Sequence, residues 1–294
     1  MTYQSTLAAN SFQGKTVIVT GGGSGIGRCT AHELSSLGAK VILLGRTQAK
    51  LDKVAGEIDA DGGAVDTYSI DIRSEESVID CVAAVVKKHG PIYGLVNNAG
   101  GQFPAPMEKI SKNGFEAVVS NNLTGGFLMS REVFKQSMKE NGGVIANITA
   151  DNLNGMPLMG HSGAARAGVE NLTKTQAWEW GQYGVRVNSV APGWVSSSGF
   201  DTYDEPMQEV LRKIKNWVPL KRLAFEAEVS SVLCFLLSSG ANYISGQCVG
   251  VDGGSSMASP AAICPLPEGE AKNSESYNGF HRSVQPKIFQ NNDD

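Results

Sequence analysis

Short apolar runs alternate with longer segments of helical periodicity along most of the chain. The runs are rich in Val and Ile, and they do not alternate regularly with polar residues. That pattern is typical of strands in a parallel sheet covered on both faces. The runs are TVIVT (16–20), AKVILLG (39–45), AVDTYSI (64–70), IYGLVNN (92–98), GVIANIT (143–149), VRVNSVAP (185–192) and GQCVGVD (246–252).

Two segments between these runs carry clear helix signals. Residues 27–38 have apolar positions three to four apart and end at Gly38, a residue type common at helix C-termini. Residues 74–90 place acids in the first turn and lysines in the last, with Gly90 after them. Strands and helices alternating at this spacing predict an α/β protein with a single Rossmann-like, doubly wound domain.

The texture of the sequence changes at both ends. We expect residues 1–11 to be a loose lead-in and residues 12–258 to form the folded domain. Residues 259–294, called the tail below, are polar, contain proline and show no clear period, so we expect an irregular segment. Two alternatives stay open for the tail: disorder, or a strap over a neighbouring subunit or over the mouth of a site.

Composition narrows the classes of function. The 294 residues include 35 glycines and 41% hydrophobic residues, which is typical of a globular protein with many tight turns. The net charge is −4 with no dense Lys/Arg cluster, which argues against nucleic acid as a partner. The apolar runs are too short to cross a bilayer, and the N-terminus lacks the features of a secretory signal.

The cysteines and histidines predict neither a disulfide nor a metal site. The four histidines are dispersed, and no two cysteines form a CxxC pair. Scattered cysteines in odd number indicate reduced thiols in a cytoplasmic protein. They are Cys29, Cys81, Cys234, Cys248 and Cys264.

A glycine-rich turn follows the first predicted strand and opens the first predicted helix. In VIVTGGGSGIGR, Gly21, Gly25 and Gly27 have the spacing G-x3-G-x-G. Glycines allow a tight turn and a close approach of the backbone to a pyrophosphate, which then lies at the positive end of the helix. Because the turn joins a strand to a helix near the N-terminus, it predicts a dinucleotide-binding site.

The end of the second strand indicates which dinucleotide binds. An NAD-binding protein usually has an acid there, which holds the ribose 2′-hydroxyl. This chain has Gly45 and Arg46, and Arg46 can pair with a 2′-phosphate, so NADP(H) is favoured over NAD(H). A solvated arginine is the alternative. After the third strand, Asp71 can accept a hydrogen bond from adenine while Ile72 covers the ring, and Asp71 can also cap the next helix.

Four motifs together resemble one family. TGGGSGIG, NNAG (97–100), NNLTGGF (121–127) and VAPGW (190–194) have the order and spacing of the short-chain dehydrogenase/reductase family, over roughly residues 12–258. The resemblance implies an oxidoreductase with seven parallel strands that assembles as a homotetramer. It also adds further cofactor-binding residues, namely Ser24, Ile26, Asn98, Ala99, Gly100, Arg166, Pro192, Gly193, Val195 and Ser197.

The catalytic positions depart from the pattern of that family. Its members use Asn, Ser, Tyr and Lys, of which the tyrosine exchanges the proton and the lysine holds the ribose. Asn122 matches the asparagine, and the serine position falls on Ala150, beside Asp151. The tyrosine and lysine positions fall on Ser162 and Arg166, in HSGAARAG. The resemblance therefore predicts a site that lacks the usual proton donor.

Ser162 and Arg166 favour one reaction class over another. Four residues apart on a helix, they share a face. Neither a guanidinium nor a serine hydroxyl is a useful acid at neutral pH, so ketone reduction is poorly served. Reduction of a C=C bond conjugated to a thioester instead gathers charge on the carbonyl oxygen, which donors stabilise without complete proton transfer. Asp151 and His161 are candidate proton carriers, although the first can simply cap a turn and the second can be a packed histidine.

Longer segments resemble two subgroups. NNAGGQFPAP and HSGAARAGV resemble peroxisomal trans-2-enoyl-CoA reductases and, more distantly, dienoyl-CoA reductases. ADNLNGMPLMGHSGAARAG and APGWVSSSGFDTY resemble bacterial citronellol/citronellal dehydrogenases. We expect an NADP(H)-dependent enoyl-CoA reductase of lipid metabolism first. The alternatives are a citronellol-type alcohol dehydrogenase and a catalytically silent NADP-binding sensor or assembly subunit.

Residues 195–225, called the cover below, correspond to the insert that closes over the cofactor in this family. Its apolar side chains suggest an acyl or terpenoid substrate; they are Phe200, Tyr203, Met207 and Trp217. Its basic side chains either meet a coenzyme A phosphate or form a solvated helix face; they are Lys213, Lys215, Lys221 and Arg222.

Overall fold

A seven-stranded parallel sheet forms the centre of the structure, a computed structural model that describes residues 2–257, 266, 268–271 and 273–290. Its strands are β1 (Thr16–Thr20), β2 (Lys40–Gly45), β3 (Ala64–Ser69), β4 (Ile92–Asn97), β5 (Gly143–Ile148), β6 (Val185–Pro192) and β9 (Cys248–Val251). The order β3-β2-β1-β4-β5-β6-β9 confirms the predicted doubly wound α/β class. A separate pair, β7 (Val195–Ser196) and β8 (Ala224–Phe225), joins the two ends of the cover.

Helices cover both faces of the main sheet. They are α1 (Gly25–Ser36), α2 (Gln48–Ala60), α3 (Glu75–His89), α4 (Lys112–Val119), α5 (Gly125–Val133), α6 (Lys139–Asn141), α7 (Gly160–Trp180), α8 (Glu205–Lys213) and α9 (Glu226–Leu237). Short π-helical segments, Ser120–Thr124 and Phe134–Met138, precede and follow α5. In the described part of the chain, none of these helices combines the length and the hydropathy that crossing a bilayer requires.

The strands divide their side chains between two cores. Val17 and Val19 of β1 pack in one core with residues of α1, α2 and α9, whereas Ile18 packs in the other with residues of α3 and α5. Successive side chains of a strand point to opposite faces, so a continuous apolar run fills both cores at once. For this reason, the apolar runs in the sequence predicted the positions of the strands.

The predicted helices are present with small shifts at their ends. The helix expected over 27–38 begins two residues earlier, at Gly25, and Gly38 follows it with a φ of +90°. The helix expected over 74–90 spans Glu75–His89. Ser74 caps it by accepting a hydrogen bond from Ser77 N at 3.3 Å.

The described residues of the tail pack against the same chain. Gln4 N donates to Gly279 O at 2.9 Å, and Phe280 is buried against Tyr3. Arg282 forms an ion pair with Asp61 beyond the end of α2, with a nitrogen–oxygen distance of 2.7 Å. Farther along, the tail reaches the cover, where Ser196 Oγ donates to Gln285 Oε1 at 3.0 Å and Ile288 joins the small apolar cluster of α8. The described part of the tail thus contacts the N-terminal segment, the end of α2 and the cover.

Four of the five cysteines lie in the described residues, and all four are free thiols. Cys29, Cys81 and Cys234 are buried, and burial raises the pKa of each thiol. Cys248 is exposed, while Cys264 falls outside the described residues.

Candidate active site

The crevice between β1 and β4 is organised by Thr20, the last residue of β1. Thr20 Oγ1 accepts hydrogen bonds from the backbone N–H groups of Asn98 and Ala99, at 3.0 Å each, and donates to Val96 O at 3.2 Å. In return, the Asn98 amide donates to Thr20 O at 3.0 Å. The order of the sheet reverses between these strands, and ligands bind at such a point in doubly wound folds. The NNAG motif is therefore fixed beside the glycine-rich turn.

The glycine-rich turn has the geometry of a phosphate cradle. Gly21 and Gly25 have φ values of +65° and +57°. A β-carbon on Gly27 would lie 2.4 Å from both Asn98 Nδ2 and Gly21 O, so no larger side chain fits. Ser24 precedes α1 in an extended conformation and makes no side-chain capping bond, which leaves the first N–H groups of the helix available to an anion. Ile26 packs towards the core below.

A carboxyl group lies against this cradle. Oε1 of Glu226, the first residue of α9, is 3.8 Å from the position that a β-carbon on Gly25 would occupy. Burial raises the pKa of Glu226 to about 7, and the nearby Arg28 guanidinium opposes the rise. The side chain next to the phosphate cradle therefore holds its proton to a higher pH than an exposed glutamate does.

A cleft of about 160 Å³ continues from the turn past the end of β2. Arg46 and Lys50 both line it. In the described residues, neither side chain has a carboxylate within ion-pairing distance. Two cations without an ion-pair partner in the described residues suit a ligand that carries an extra phosphate.

Asp71 and Ile72 line the opposite wall of the same cleft. Asp71 pairs with Arg73, at 2.9 Å between Oδ1 and Nε, and hydrogen bonds from Arg73 lower the pKa of Asp71. Because Ser74 caps α3, the expectation that Asp71 caps this helix is wrong. The Asp71 carboxylate remains at the wall of the cleft, where an adenine amino group would need it.

These features fit a nicotinamide dinucleotide. The cradle of Gly21, Gly25 and Gly27 would hold the pyrophosphate at the N-terminus of α1, and the cleft would take the adenosine end. Buried polar atoms without partners, Asn122 Nδ2 and Arg166 Nε, mark the other end of the crevice.

Asn122 projects from the π-helical segment Ser120–Thr124 and is 4% exposed. Its Oδ1 accepts a hydrogen bond from Gly101 N at 2.8 Å, while its Nδ2 has no partner in the described residues. It lines a cavity of about 20 Å³ together with Asn147 and Gln176. Wide helical turns of this kind occur often at functional sites, because they redirect a side chain inwards.

Arg166 is a buried cation without a carboxylate partner in the described residues. Nη1 donates to Ile148 O at 2.6 Å, and Nε has no partner. A β-carbon on Gly100 would lie 2.6 Å from Arg166 Nη2 and 3.0 Å from Asn122 Oδ1, so the two side chains converge on the NNAG loop. Burial lowers the pKa of Arg166 to about 10, which leaves the group charged at neutral pH. An unpaired buried charge is unfavourable unless a ligand compensates it.

Ser162 is fully buried one helical turn before Arg166 and is bonded to the loop after β4. Its Oγ donates to Gln102 Oε1 at 2.6 Å. His161 is also buried, its Nδ1 accepts from Ser162 N at 2.8 Å, and its Nε2 has no partner in the described chain. The ring of His161 meets Phe103 edge-on at a centroid distance of 4.4 Å. Ser162 therefore faces Gln102, which the sequence analysis did not identify.

Asp151 lies at the carboxyl end of β5, where its backbone N–H donates to Pro192 O at 3.1 Å. Its carboxylate accepts from Ser255 Oγ at 3.2 Å rather than from Ser162 or Arg166. Gly193 follows β6 against Asp252, because a β-carbon there would lie 2.8 Å from Asp252 Cα. Asp151 as a proton carrier remains a prediction.

The cover begins at β7, with Val195 buried and Ser197 partly exposed. Its apolar side chains form a core of their own, because Phe200, Tyr203 and Met207 pack with buried residues of the cover and with Ile288 of the tail. The buried residues are Leu211, Ile214 and Val218. Among the apolar residues expected to face a substrate, only Trp217, which is 60% exposed, is free of this cluster.

The basic residues of the cover are partly neutralised. Arg222 pairs with Glu228 at 2.7 Å and also donates to Ser274 Oγ, while Lys215 lies 3.2 Å from Glu270. These contacts favour a structural function for Arg222 over binding of a coenzyme A phosphate.

Exposed apolar side chains lie on the two loops that follow β4 and β5, and Phe103 on the first of these loops contacts His161 beside Ser162. Phe103 and Met107 follow β4, and Leu153 and Leu158 follow β5; their exposures are 41%, 66%, 71% and 47%. The two loops are joined by a hydrogen bond from Ala105 N to Leu158 O at 2.8 Å. Exposed apolar groups of this size are typical of a binding surface for apolar ligands.

A family model described as enoyl-(acyl carrier protein) reductase matches residues 21–256. The match spans the sheet, the cradle and the helix that carries Ser162 and Arg166. The chain belongs to the short-chain dehydrogenase/reductase family. It is therefore an oxidoreductase, and a nicotinamide cofactor is the one that the crevice fits.

Several named members of the short-chain dehydrogenase/reductase family are similar to this chain over most of its length. A probable 2,4-dienoyl-CoA reductase of Bacillus subtilis is 37% identical, with 82% of this chain and 96% of the relative covered. A peroxisomal 2,4-dienoyl-CoA reductase of the mouse is 34% identical, with 92% and 93% covered. A solved citronellol catabolism dehydrogenase of Pseudomonas aeruginosa is 53% identical, with a TM-score of 0.79 and 86% and 100% covered.

Three site residues of this family member were missed by the sequence analysis. The sequence could have identified Lys50, because it is a second basic residue four positions after Arg46 and lies on the first turn of α2. Gln102 and Glu226 had none. Their functions depend on Ser162 and Gly25, which lie 60 and 201 positions away along the chain.

Proposed function

We propose that the protein is an NADP(H)-dependent reductase of carbon–carbon double bonds conjugated to a thioester, such as a trans-2-enoyl-CoA. The observation that carries this proposal is the buried, unpaired Arg166 next to Ser162, at the positions where the family has its lysine and tyrosine. Such a pair supplies positive charge and hydrogen bonds but no acid. The dienoyl-CoA reductases among the relatives lend independent support.

The bound cofactor would supply the hydride. As a C–H bond forms at the β-carbon, the π electrons of the C=C bond move towards the thioester, and the carbonyl oxygen becomes an enolate oxygen. The Arg166 guanidinium stabilises this negative charge from below, and Asn122 holds the loop at Gly101 on which the substrate rests. Water then adds a proton at the α-carbon, which completes the balance without an acidic side chain.

The preference for NADP(H) rests on charge. Arg46 and Lys50 line the cleft, and in the described residues neither forms an ion pair, although the Asp71 carboxylate lines the same cleft and is bonded to Arg73. A 2′-phosphate would bind both cations, whereas a 2′-hydroxyl would leave them unused. Asp71 and Ile72 would hold the adenine, and Pro192, Gly193, Val195 and Ser197 would lie on the nicotinamide side.

A substrate panel tests the proposal. Purified protein is mixed with NADPH or NADH and with crotonyl-CoA, trans-2-decenoyl-CoA, a 2,4-dienoyl-CoA or citronellal, and loss of the reduced nicotinamide is followed by absorbance. We expect turnover of the enoyl-CoAs, faster with NADPH. Oxidation of NADPH with citronellal and with no thioester would contradict the thioester proposal.

A second candidate is oxidation of citronellol or a related alcohol, favoured by the 53% identical citronellol catabolism dehydrogenase. The apolar entrance of Phe103, Met107, Leu153 and Leu158 would accept a terpenoid chain as well as an acyl chain. This candidate needs a proton acceptor, for which Asp151 is the available carboxylate. Inactivity towards citronellol with either cofactor rules it out. Nucleotide binding without any turnover would instead indicate the catalytically silent sensor.

We also propose that the protein works as a homotetramer in the cytoplasm. Phe115 of α4, Phe127 of α5 and Trp178 of α7 carry exposed aromatic rings that a second copy would cover. Free thiols at Cys29, Cys81, Cys234 and Cys248 suit a reducing compartment. Light scattering of the purified protein measures the assembly, and a monomer would contradict it.

A further inference from the structure

We propose that Gln102, rather than Ser162, presents the hydrogen-bond donor to the reacting carbonyl oxygen, and that Ser162 is a positioning residue for Gln102. The inference deepens the proposed function and rests on it. It would also account for a serine at the tyrosine position, because a residue that only orients a neighbour needs no acidity.

The hydrogen bond between the two residues has a direction. The single hydroxyl proton of Ser162 is donated to Gln102 Oε1 at 2.6 Å. Ser162 itself is fully buried, so it lies below the surface that a substrate touches. The Gln102 side chain is exposed, and no group in the described residues accepts a hydrogen bond from its Nε2. The two N–H groups of the Gln102 amide are therefore available to a ligand, whereas the hydroxyl proton of Ser162 is already used in the bond to Gln102.

The loop that carries Gln102 is fixed on both sides. Gly101 N donates to Asn122 Oδ1 at 2.8 Å, immediately before Gln102. Phe103, immediately after it, packs edge-on against the buried His161. A donor stabilises a developing charge best when its supports hold it in place before the reaction. The Ser162 hydroxyl adds the last support by fixing the amide plane.

Arg166 completes the arrangement from the other side. Arg166 Nη2 is the atom nearest to the position of a β-carbon on Gly100, so the guanidinium lies against the NNAG segment, which Gln102 follows closely in the sequence. The two donors are chemically different, since one carries a full charge and the other is neutral, and neither releases a proton at neutral pH. This combination binds an oxygen that gains charge, and it favours a carbonyl compound over an alcohol, whose hydroxyl would need an acceptor.

The experiment compares Gln102→Leu, Gln102→Glu and Ser162→Ala on whichever panel substrate the wild type reduces. We expect Q102L to lower kcat by about 10²-fold, the effect of removing one oxyanion donor. S162A should lower it by only about 10-fold, because the amide keeps its donors but loses its fixed orientation. Cofactor affinity, measured by fluorescence titration, should stay unchanged in both, and Gln182→Leu on the distant surface should match the wild type.

The pH profile separates donation from packing. The carboxyl group that Q102E introduces cannot donate a hydrogen bond when it is ionised, but it can when it is protonated. The activity of Q102E relative to wild type should therefore rise about tenfold for each pH unit as the pH falls towards the carboxyl pKa, ordinarily about 4.3. The same ratio for Q102L should not change with pH.

The outcomes separate the two proposals. If the wild type reduces no member of the panel, both are wrong. If the wild type is active and Q102L retains more than a third of its activity, the assignment of Gln102 alone is wrong. If S162A loses more activity than Q102L, the hydroxyl donates to the substrate and the amide is its support, which also overturns the assignment. If the activity of Q102E relative to wild type does not change with pH, the assignment of Gln102 as the donor is also wrong.

Discussion

The cofactor half of the molecule, from β1 to the NNAG motif, is built differently from the substrate half that begins at β5. In the cofactor half, the cradle is made by backbone within a few residues of Gly21, and each further contact comes from the end of the next strand. In the substrate half, a single apolar cluster needs residues as far apart as Phe200 and Ile288. Backbone recognition is local in sequence, whereas side-chain recognition collects distant segments.

The two halves also differ in how they carry positive charge. Arg46 and Lys50 are exposed at the cleft, where water screens them before a ligand arrives. Arg166 is buried, so its charge acts at short range and with little screening. We expect the exposed charge to select the ligand and the buried charge to stabilise the reaction. Each of the following changes tests one side of this comparison.

The largest effect is expected for Arg166→Met. Loss of the buried guanidinium should lower kcat/KM by about 10³-fold and weaken cofactor binding as well. Removal of the unpaired buried charge stabilises the fold, whereas loss of the hydrogen bond to Ile148 O destabilises it, so the free energy of unfolding should change little. Kinetics, fluorescence titration and urea unfolding measure the three quantities.

Arg186→Met is the matched control for Arg166→Met. Arg186 donates to Leu236 O at 2.9 Å and to Ser238 O at 3.1 Å, so its contacts are structural. Its loss should reduce stability by about 1–3 kcal/mol and leave the activity per folded molecule intact. Equal turnover and affinity in R166M would show that Arg166 is not part of the site.

The next largest effect is expected for Phe280→Ala, which tests the link between the tail and the cofactor half. Phe280 is 2% exposed and packs on Tyr3 and beneath the Arg28 guanidinium, 4.9 Å from the ring centroid. Truncation should lower the free energy of unfolding by about 3 kcal/mol, seen in the urea midpoint. Phe235→Ala, at a site 39% exposed, should cost far less. If Phe280→Ala lowered the free energy of unfolding no more than Phe235→Ala does, the packing of the tail would contribute little to stability.

Arg46→Ser should raise the Kd for NADPH by about 10–100-fold, the value of one charge-assisted contact. The Kd for NADH should hardly change, because NADH has no 2′-phosphate. Lys50→Met should act in the same direction, and Lys53→Met, on the exposed side of α2, should have no effect. An equal loss for both nucleotides would mean that Arg46 does not read the phosphate.

The smallest effect is expected for Glu226→Gln, and it depends on pH. The folded pKa of about 7 exceeds the ordinary value of 4.5, so the folded protein holds a proton that the unfolded chain releases. The stability that this proton contributes is complete below pH 4.5 and is lost as the pH rises through 7. The glutamine variant keeps the neutral form, so it should be close to the wild type in stability at pH 5 and clearly more stable than the wild type at pH 8.

Urea unfolding at the two pH values measures the difference between Glu226→Gln and the wild type. Glu116→Gln, at an exposed helical site, serves as the control. A gain of equal size at pH 5 would contradict the assignment.

Sequence patterns predicted the sheet because both of its faces are buried. Each apolar run became a strand of the main sheet, and helix ends shifted by no more than two residues at Gly25 and Glu75. The family motifs also located Asn122 and Arg166, whose side chains converge at Gly100, while their catalytic functions stay predictions. These features are encoded in local patterns or in motifs with fixed spacing.

The remaining features depend on contacts that no local pattern contains. The apolar residues of the cover suggested a substrate pocket, but Phe200, Tyr203 and Met207 fill a core that includes Ile288. Hydrophobicity alone does not distinguish a residue that contacts a ligand from one that packs on a distant part of the chain. Gln102 is polar, exposed and in a loop, so its bond with Ser162 became visible only in three dimensions.

The route of the tail has a consequence for biosynthesis. β9 ends at Val251, so the main sheet is complete before Tyr277–Arg282 are added to the chain, and Ile288 follows later still. A protein made from its N-terminus can therefore build its nucleotide cradle while synthesis continues, but it cannot complete the small apolar core of the cover until Ile288 has been added and has left the ribosome. Docking of the tail on Tyr3 and Gln4 would therefore be a late step of folding.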